Sequence, residues 1–244
     1  MKIALLGYGK MGQTIERIAL ERGHEIVLKK DEFNTYEGLS NADVAIDFSI
    51  PAVAVENISS CFYANVPVIS GTTGWLDRYN EMEALCKEKK GAFISSSNFS
   101  LGVNLFFNLN EYLAKIMSKF DSYTVVMEEI HHTQKLDAPS GTAISLAKGV
   151  IENSDYTNWT LEETKENDPS NSELAKQIYI EAIRTGNVPG THTVTYNSSV
   201  DTIEIKHTAH NRDGFALGAL IAAEWIVGKQ GVFTMRDVLE LNSK

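Results

Sequence analysis

The sequence predicts an α/β fold: a doubly wound parallel sheet, followed by a second, α+β domain built on a mixed sheet. Three observations predict it. Short apolar runs alternate with helix-length segments through the first third of the chain, which implies a parallel sheet with right-handed crossovers. The pattern then changes to a long helical segment and to strands that follow one another through Gly-, Pro-, Asn- and Ser-rich turns, as antiparallel or mixed sheets do. The first apolar run also ends in a glycine-rich loop that opens a helix.

The elements follow in order. Lys2–Leu6 reads as a buried strand, Met11–Arg22 as a helix and Glu25–Leu28 as a second strand. Val44–Phe48 is a third strand, closed by Ser49-Ile50-Pro51. Ala52–Ala64 reads as a helix, Val66–Ser70 as a strand, Leu76–Lys90 as a helix and Ala92–Ser95 as a strand. Leu101–Lys119 is a long helix, with Leu105, Phe106, Leu109, Leu113 and Ile116 near helical spacing. Tyr123–Ile130 is a strand, and Gly141–Glu152 a helix opened by Pro139-Ser140. From Glu152 to Glu173 stand seven acids and one lysine, a composition that predicts a solvated loop. Ile178–Arg184, Thr191–Tyr196 and Thr202–Thr208 read as strands, the last with period-two alternation. Phe215–Val227 is a strongly apolar helix and Met235–Leu241 a short one; both are expected to pack against a sheet face of the first domain.

Composition excludes some functions. A net charge of -10 at pH 7 speaks against non-specific nucleic-acid binding, which needs a cationic surface. An anionic substrate stays possible, because a few local cations override the global field at short range. Cys61 and Cys86 form no disulfide framework and have no second cysteine at metal-ligand spacing, so they read as reduced thiols of a cytoplasmic protein. Ile3–Leu6 is too short for a signal segment or a membrane span, and no later run approaches membrane length.

Gly7-Tyr8-Gly9-Lys10-Met11-Gly12 fits G-x-G-x-x-G between a strand and a helix. Glycines there let the backbone turn tightly and approach a pyrophosphate, while the helix start offers free N–H groups. An acid is expected about 20 residues further on, to hold the adenosine ribose. Asp31 stands in that place, which makes the domain Rossmann-type. Asp31 suits the ribose hydroxyls of NADH, whereas Lys29 or Lys30 could hold the 2′-phosphate of NADPH; both coenzymes remain open. Gly71-Thr72-Thr73-Gly74 and Ser96-Ser97-Asn98-Phe99 follow later strands, where loops line the ligand crevice of an open parallel sheet.

The segment from Glu129 to Ala143 concentrates reactive groups. His131, His132 and Lys135 fall within five residues after a strand. Pro139-Ser140-Gly141-Thr142 then reads as a helix start whose hydroxyls and N–H groups make an anion cradle. A cation beside such a cradle suits a carboxylate-bearing substrate. Adjacent strand histidines point to opposite faces, and no cysteine or nearby histidine completes a zinc set, so no metal site is expected. Histidine donates protons near neutral pH, which points the cluster to catalysis.

The run His131–Ala143 closely resembles the signature of the 4-hydroxy-tetrahydrodipicolinate reductase (dihydrodipicolinate reductase) family. The resemblance also takes in Gly7–Gly12, Ile46–Ser49, Gly71–Gly74, Asn98–Asn104 and Phe215–Leu241, in order, and so spans nearly the whole chain. It implies reduction of 4-hydroxy-tetrahydrodipicolinate, a small anionic dicarboxylate, to tetrahydrodipicolinate with loss of water, in lysine/diaminopimelate biosynthesis. NADH or NADPH would be the coenzyme. It implies acid/base or proton-donor roles for His131 and Lys135, and carboxylate contacts from His132, Gly141 and Thr142. Ser140 joins these through the cradle. Coenzyme contacts would come from Gly7–Met11, Asp31, Gly71–Thr73 and Ser96–Phe99. The family fold implies a dinucleotide-binding domain of residues 1–99 completed by 213–244. A substrate-binding and oligomerisation domain of 100–212 would build a homotetramer, and hinges near Phe99–Gly102 and Arg212–Phe215 would allow closure. Two departures bear on the adenosine end: many members carry one more residue in the glycine loop, and the stretch between the second and third strands is short here. Two alternatives keep part of this reading: a dehydrogenase of amino or imino dicarboxylates, and a redox-sensing dinucleotide binder. The latter would be supported by a basic DNA-reading helix, and the sequence has none.

Overall fold

Lys2–Leu6 (β1) buries every residue after the lysine, so both its faces must be covered, as in the middle of a parallel sheet. A computed structural model describes residues 1–161 and 176–241. In it β1 lies between Glu25–Lys30 (β2) and Val44–Asp47 (β3). Val68–Ser70 (β4) and Ala92–Ser95 (β5) extend the sheet in parallel. The order β2-β1-β3-β4-β5 grows in one direction from β1 and then in the other. Such a reversal opens a crevice at the C-terminal ends of β1 and β3.

Period two divides the core. Ile3 and Leu5 face one way, with Ile15 and Ile18 of Lys10–Glu21 (α1) and with Ala219, Leu220 and Ala223 of Asp213–Ile226 (α6). Ala4 and Leu6 face the other, with Ile58 and Phe62 of Pro51–Tyr63 (α2) and Met82 of Tyr79–Glu88 (α3). Leu76–Arg78 forms a 3-10 turn ahead of α3 rather than its first turn. The apolar helix expected at Phe215–Val227 thus covers a sheet face of the first unit, and it does so closely: a Cβ on Gly218 would fall on the carbonyl of Phe99.

The second unit carries the mixed sheet. Thr124–His131 (β6), Asn158–Leu161 (β7), Gln177–Arg184 (β8), Gly190–Asn197 (β9) and Thr202–Ala209 (β10) are ordered β10-β9-β6-β8-β7. β6 pairs antiparallel with β9 and parallel with β8. Leu101–Met117 (α4) and Gly141–Ile151 (α5) supply Phe106, Ala114, Leu146, Ala147 and Val150 to its core. β7 corrects one expectation: it lies inside the acidic stretch read as a loop, paired with β8 and with Trp159 packed on the core. The part of that stretch at 162–175 lies outside the described residues. A second addition is Gly231–Phe233 (β11), which pairs with β5 and completes a six-stranded first sheet. Met235–Val238 (α7) follows it.

The chain divides into two compact units, Met1–Asn104 with the chain from Arg212 on, and Leu105–Asn211. No helix among the described residues is long and apolar enough to cross a membrane.

Candidate active site

β1 ends at Leu6 and the chain must turn at once into α1. Gly7 adopts φ 96°, a region closed to most side chains, and a Cβ there would fall on the Phe48 carbonyl. Gly12 is buried against the carbonyl of Gly7. The loop is tied to both neighbours: Gly7 N–H donates to Lys30 O and Phe48 N–H to Leu6 O, each at 2.9 Å. Gly9 caps α1 without a side chain, leaving the first helical N–H groups and the positive dipole end open. Gly7, Tyr8, Gly9 and Asp31 line one cavity of about 560 Å³, with Phe48 and Ser49 across from them. That volume suits a cofactor. Lys10 is exposed on the first turn of α1, and Met11 packs inward on the core.

Beside the crevice lies a buried carboxylate that the sequence reading gave no role. Asp47 accepts from Ser49 Oγ (2.7 Å), Asn57 Nδ2 (2.9 Å) and Ser70 Oγ (2.7 Å). Burial raises its pKa, against the pull of those donors. Its own carbonyl accepts from Gly71 N–H (2.8 Å), and Ser49 N–H donates to Thr72 Oγ1 (2.8 Å), so the loops after β3 and β4 form one network. Gly71 is needed there because a Cβ would overlap the Phe48 ring. Ser96 N–H donates to Ser70 O (3.1 Å), its hydroxyl to Asn98 O (2.8 Å), and the buried Phe99 ring lies 5.9 Å from that of Phe48. Thr73 and Ser97 are exposed. Gly71–Thr73 and Ser96–Phe99 therefore gather at neighbouring strand ends but do not line the 560 Å³ cavity.

In the second unit the buried face of β6 changes character along its length. Val125 and Met127 are apolar; Glu129 and His131, on the same parity, are buried and polar. Across the strands Glu129 stands opposite His192 of β9, and His131 opposite Arg184 of β8. Glu129 is the hub. Both its oxygens accept the Ser140 N–H at 3.0 Å, and Oε1 accepts Arg184 Nη2 at 2.8 Å. His131 Nδ1 lies 3.5 Å and His192 Nε2 3.6 Å from Oε2. Burial alone would raise the Glu129 carboxyl, but the bonds from His192, Ser140 and Arg184 outweigh it and hold it at about 2. Burial pushes His131 down to about 4, against the opposing pull of Glu129. The ligand-free imidazole is therefore neutral at pH 7.

Ser140 is the N-cap of α5: its Oγ accepts Ala143 N–H (3.2 Å) and meets His192 Nε2 (3.0 Å). Pro139 stands ahead of the cap, not in the first turn, in a cis peptide with Ala138. With the Ser140 N–H given to Glu129, the N–H groups free of any intrahelical acceptor at the helix start are those of Gly141 and Thr142. A Cβ on Gly141 would meet open space. Lys135 Nζ is held by both oxygens of Asp137 at 2.8 Å, and Arg184 Nη2 donates to the Asp137 carbonyl at 2.6 Å. His132 is half-buried, its N–H bound to Val188 O at 2.8 Å.

The sequence reading missed Glu129, Arg184 and His192. Glu129 had a visible signal, a charge on the apolar parity of a strand; the other two are brought in only by register. They also revise the expectation that nothing completes a donor set with His131. Glu129, His131 and His192 each present a donor atom within 4.8 Å of the others. Glu129 is already bonded to the Ser140 N–H and neutralised by Arg184, so the trio reads as the surround of that ion pair and not as a metal site.

The description "Dihydrodipicolinate reductase, N-terminus" matches residues 1–99, and "Dihydrodipicolinate reductase, C-terminus" matches residues 102–239. The chain belongs to the dihydrodipicolinate reductase family. A curated family relative from Christiangramia forsetii, named 4-hydroxy-tetrahydrodipicolinate reductase, is 55% identical over 242 residues, covering 98% of each chain. One of the same name from Methanoregula boonei is 35% identical, again over 98% of each. The solved dipicolinate-bound dihydrodipicolinate reductase from Paenisporosarcina sp. TG-14 superposes with a TM-score of 0.72. It is 22% identical, over 96% of this chain and 97% of that one. As a dihydrodipicolinate reductase family member the protein is an oxidoreductase that uses NADH or NADPH, with its Rossmann-type sheet in the N-terminal match.

Proposed function

We propose that the protein reduces 4-hydroxy-tetrahydrodipicolinate to tetrahydrodipicolinate with loss of water, in lysine/diaminopimelate biosynthesis, and that His131 and Lys135 handle the proton. The carrying observation is the pairing of a buried histidine facing Glu129 with a lysine and a helix start, in a chain 55% identical to a named reductase. Gly7–Gly12 and Asp31 fit a dinucleotide, which when bound supplies the hydride.

The rest falls to the chain's own residues. A dianionic substrate needs cationic and N–H donors; Lys135, His132 and the N–H groups of Gly141 and Thr142 supply them. Loss of the 4-hydroxyl as water, with a hydrogen from the ring carbon beside the imine, leaves a carbon–carbon double bond conjugated with that imine; hydride adds to it, and a proton must quench the negative charge left behind. Lys135 and His131 stand as the two donors. A dianion beside His131 raises its affinity for a proton, offsetting burial. The Glu129 carboxylate lies 3.5 Å from Nδ1 without a hydrogen bond to it, and its charge favours the protonated ring.

The test is oxidation of NADH and NADPH followed with freshly generated cyclic substrate, against aspartate and open-chain keto acids as controls. Turnover confined to the cyclic substrate supports the reading. Turnover only on the controls moves it to an amino or imino dicarboxylate dehydrogenase, and coenzyme binding without any turnover to a redox sensor. Assembly as a cytoplasmic homotetramer is read from the family resemblance. The sheet face opposite the His131 cluster suits it, with Val126 exposed on the lining of a groove of about 410 Å³. Light scattering should give four chain masses; a monomer would sink that part.

A further inference from the structure

The buried face of β9 ends as that of β6 does. Val194 and Tyr196 belong to the apolar core, while His192, on the same parity, is buried and polar. Its cross-strand neighbours are Glu129 of β6 and His207 of β10. A buried imidazole needs a partner, and the nearest is the cap of α5: His192 Nε2 stands 3.0 Å from Ser140 Oγ. Glu129 Oε2 lies farther off, at 3.6 Å. Nδ1 is buried and has no hydrogen-bond partner among the described residues. A proton there would be a buried donor without an acceptor, so Nε2 is the protonated nitrogen and donates to Ser140 Oγ.

Ser140 is thus gripped from the sheet at two points. Its N–H goes to Glu129, 3.0 Å from either oxygen. Its Oγ takes the His192 bond while capping Ala143 N–H at 3.2 Å. Glu129 and His192 stand opposite one another in the β6–β9 register, so one cross-strand pair holds both the backbone and the side chain of the cap. The extended backbone of the cap, φ -66° and ψ 157°, aims the N–H groups that follow, those of Gly141 and Thr142.

We propose that His192 is a positioning residue for dicarboxylate binding: by holding Ser140 Oγ it fixes the first turn of α5, whose Gly141 and Thr142 N–H groups receive a substrate carboxylate. The proposal rests on the reading of those N–H groups given above and goes beyond it by naming what holds them. His192 touches no substrate in this role. A cap free to swing must be ordered at the moment of binding, which lowers affinity. The His192 ring also packs edge-on against that of His131, 5.0 Å between centroids, so a test variant has to keep its bulk.

The experiment is calorimetric titration of the full chain with dipicolinate under saturating NADH, and again under saturating NADPH. His192→Leu keeps bulk and removes the donor; it should weaken dipicolinate roughly 5–30-fold, the scale of a lost cap or buried hydrogen bond. His192→Gln, whose amide nitrogen falls at the place of Nε2, should return binding to within ~3-fold of wild type. His192→Asn, whose amide stops at the level of Nδ1, should be as weak as the leucine variant, and it decides the matter if that variant fails to fold on a melting curve. Ser140→Ala should bind as weakly, and adding His192→Leu to it should cost nothing further, because the shared bond is already gone. Glutamine or wild-type affinity tells the two outcomes apart: a glutamine variant as weak as leucine overturns the proposal, and so does a leucine variant as tight as wild type. Losses that multiply in the double variant overturn it too, as does a wild type that binds no dipicolinate. Because no turnover is read, a failed catalytic reading would leave these ratios standing, and failed ratios would leave turnover standing.

Discussion

His131→Gln is expected to lower kcat by roughly 10²–10⁴-fold, the usual contribution of a positioned general acid, while coenzyme affinity stays unchanged. The separation follows from placement. His131 closes β6 in the second unit, whereas the glycine loop and Asp31 belong to the first. Glutamine preserves a hydrogen-bonding head beside Glu129 but cannot carry the proton. Burial holds the ligand-free imidazole at about 4, so at pH 7 it starts without that proton and must gain it when the dianion binds. Titration with dipicolinate in two buffers of different ionisation heat counts the uptake: a proton for wild type and none for the variant. Binding by wild type without uptake would leave proton delivery to Lys135. An unchanged kcat in the folded variant would remove His131 from the reaction.

What the sequence made legible follows from the range over which each signal acts. β1 to β5 and their helices are read from short, largely apolar runs of four or five residues that alternate with helix-length segments, and the glycine loop from a backbone that tolerates no side chain at Gly7. β7 and β11, Asn-Trp-Thr-Leu and Gly-Val-Phe, offer no unbroken apolar run of the kind that marks β1 or β3, and exist because β8 and β5 offer an edge to pair with. The site divides the same way. His131, Lys135 and Gly141 come from one contiguous segment. His192 and Arg184 reach Glu129 only through the registers of β9 and β8, which no local window contains. Likewise, nothing in Lys29-Lys30-Asp31 shows that α1 brings Glu16 to Lys29, or that the Ser140 N–H is given to Glu129 and withheld from the cradle. Types of residue were legible; their mutual neutralisation was not.

Glu129→Ala should destabilise the second unit by about 3–5 kcal/mol, as removal of one partner from a buried ion pair does. The carboxylate is wholly buried, and its loss leaves the Ser140 N–H without its acceptor and Arg184 without its charge partner. Glu129→Gln, which keeps an acceptor oxygen but no charge, should cost less. The pH dependence identifies the cause. Glu129 sits at about 2 when folded, below its ordinary 4.5, so its contribution is complete above pH 4.5 and is lost as pH falls toward 2. His131 is also depressed, to about 4 from 6.5, but as a base: between those values the unfolded chain holds the extra proton, and acidification again favours unfolding. Wild-type melting temperature should therefore fall from about pH 6.5 downward without a plateau. The alanine variant should keep the His131 slope above pH 4.5 and lose the carboxylate slope below it. Equal melting of variant and wild type at pH 7 would mean that Arg184 and Ser140 find other acceptors. The polar end of β6 would then need a different explanation from the one that ties Glu129 to the setting of His131.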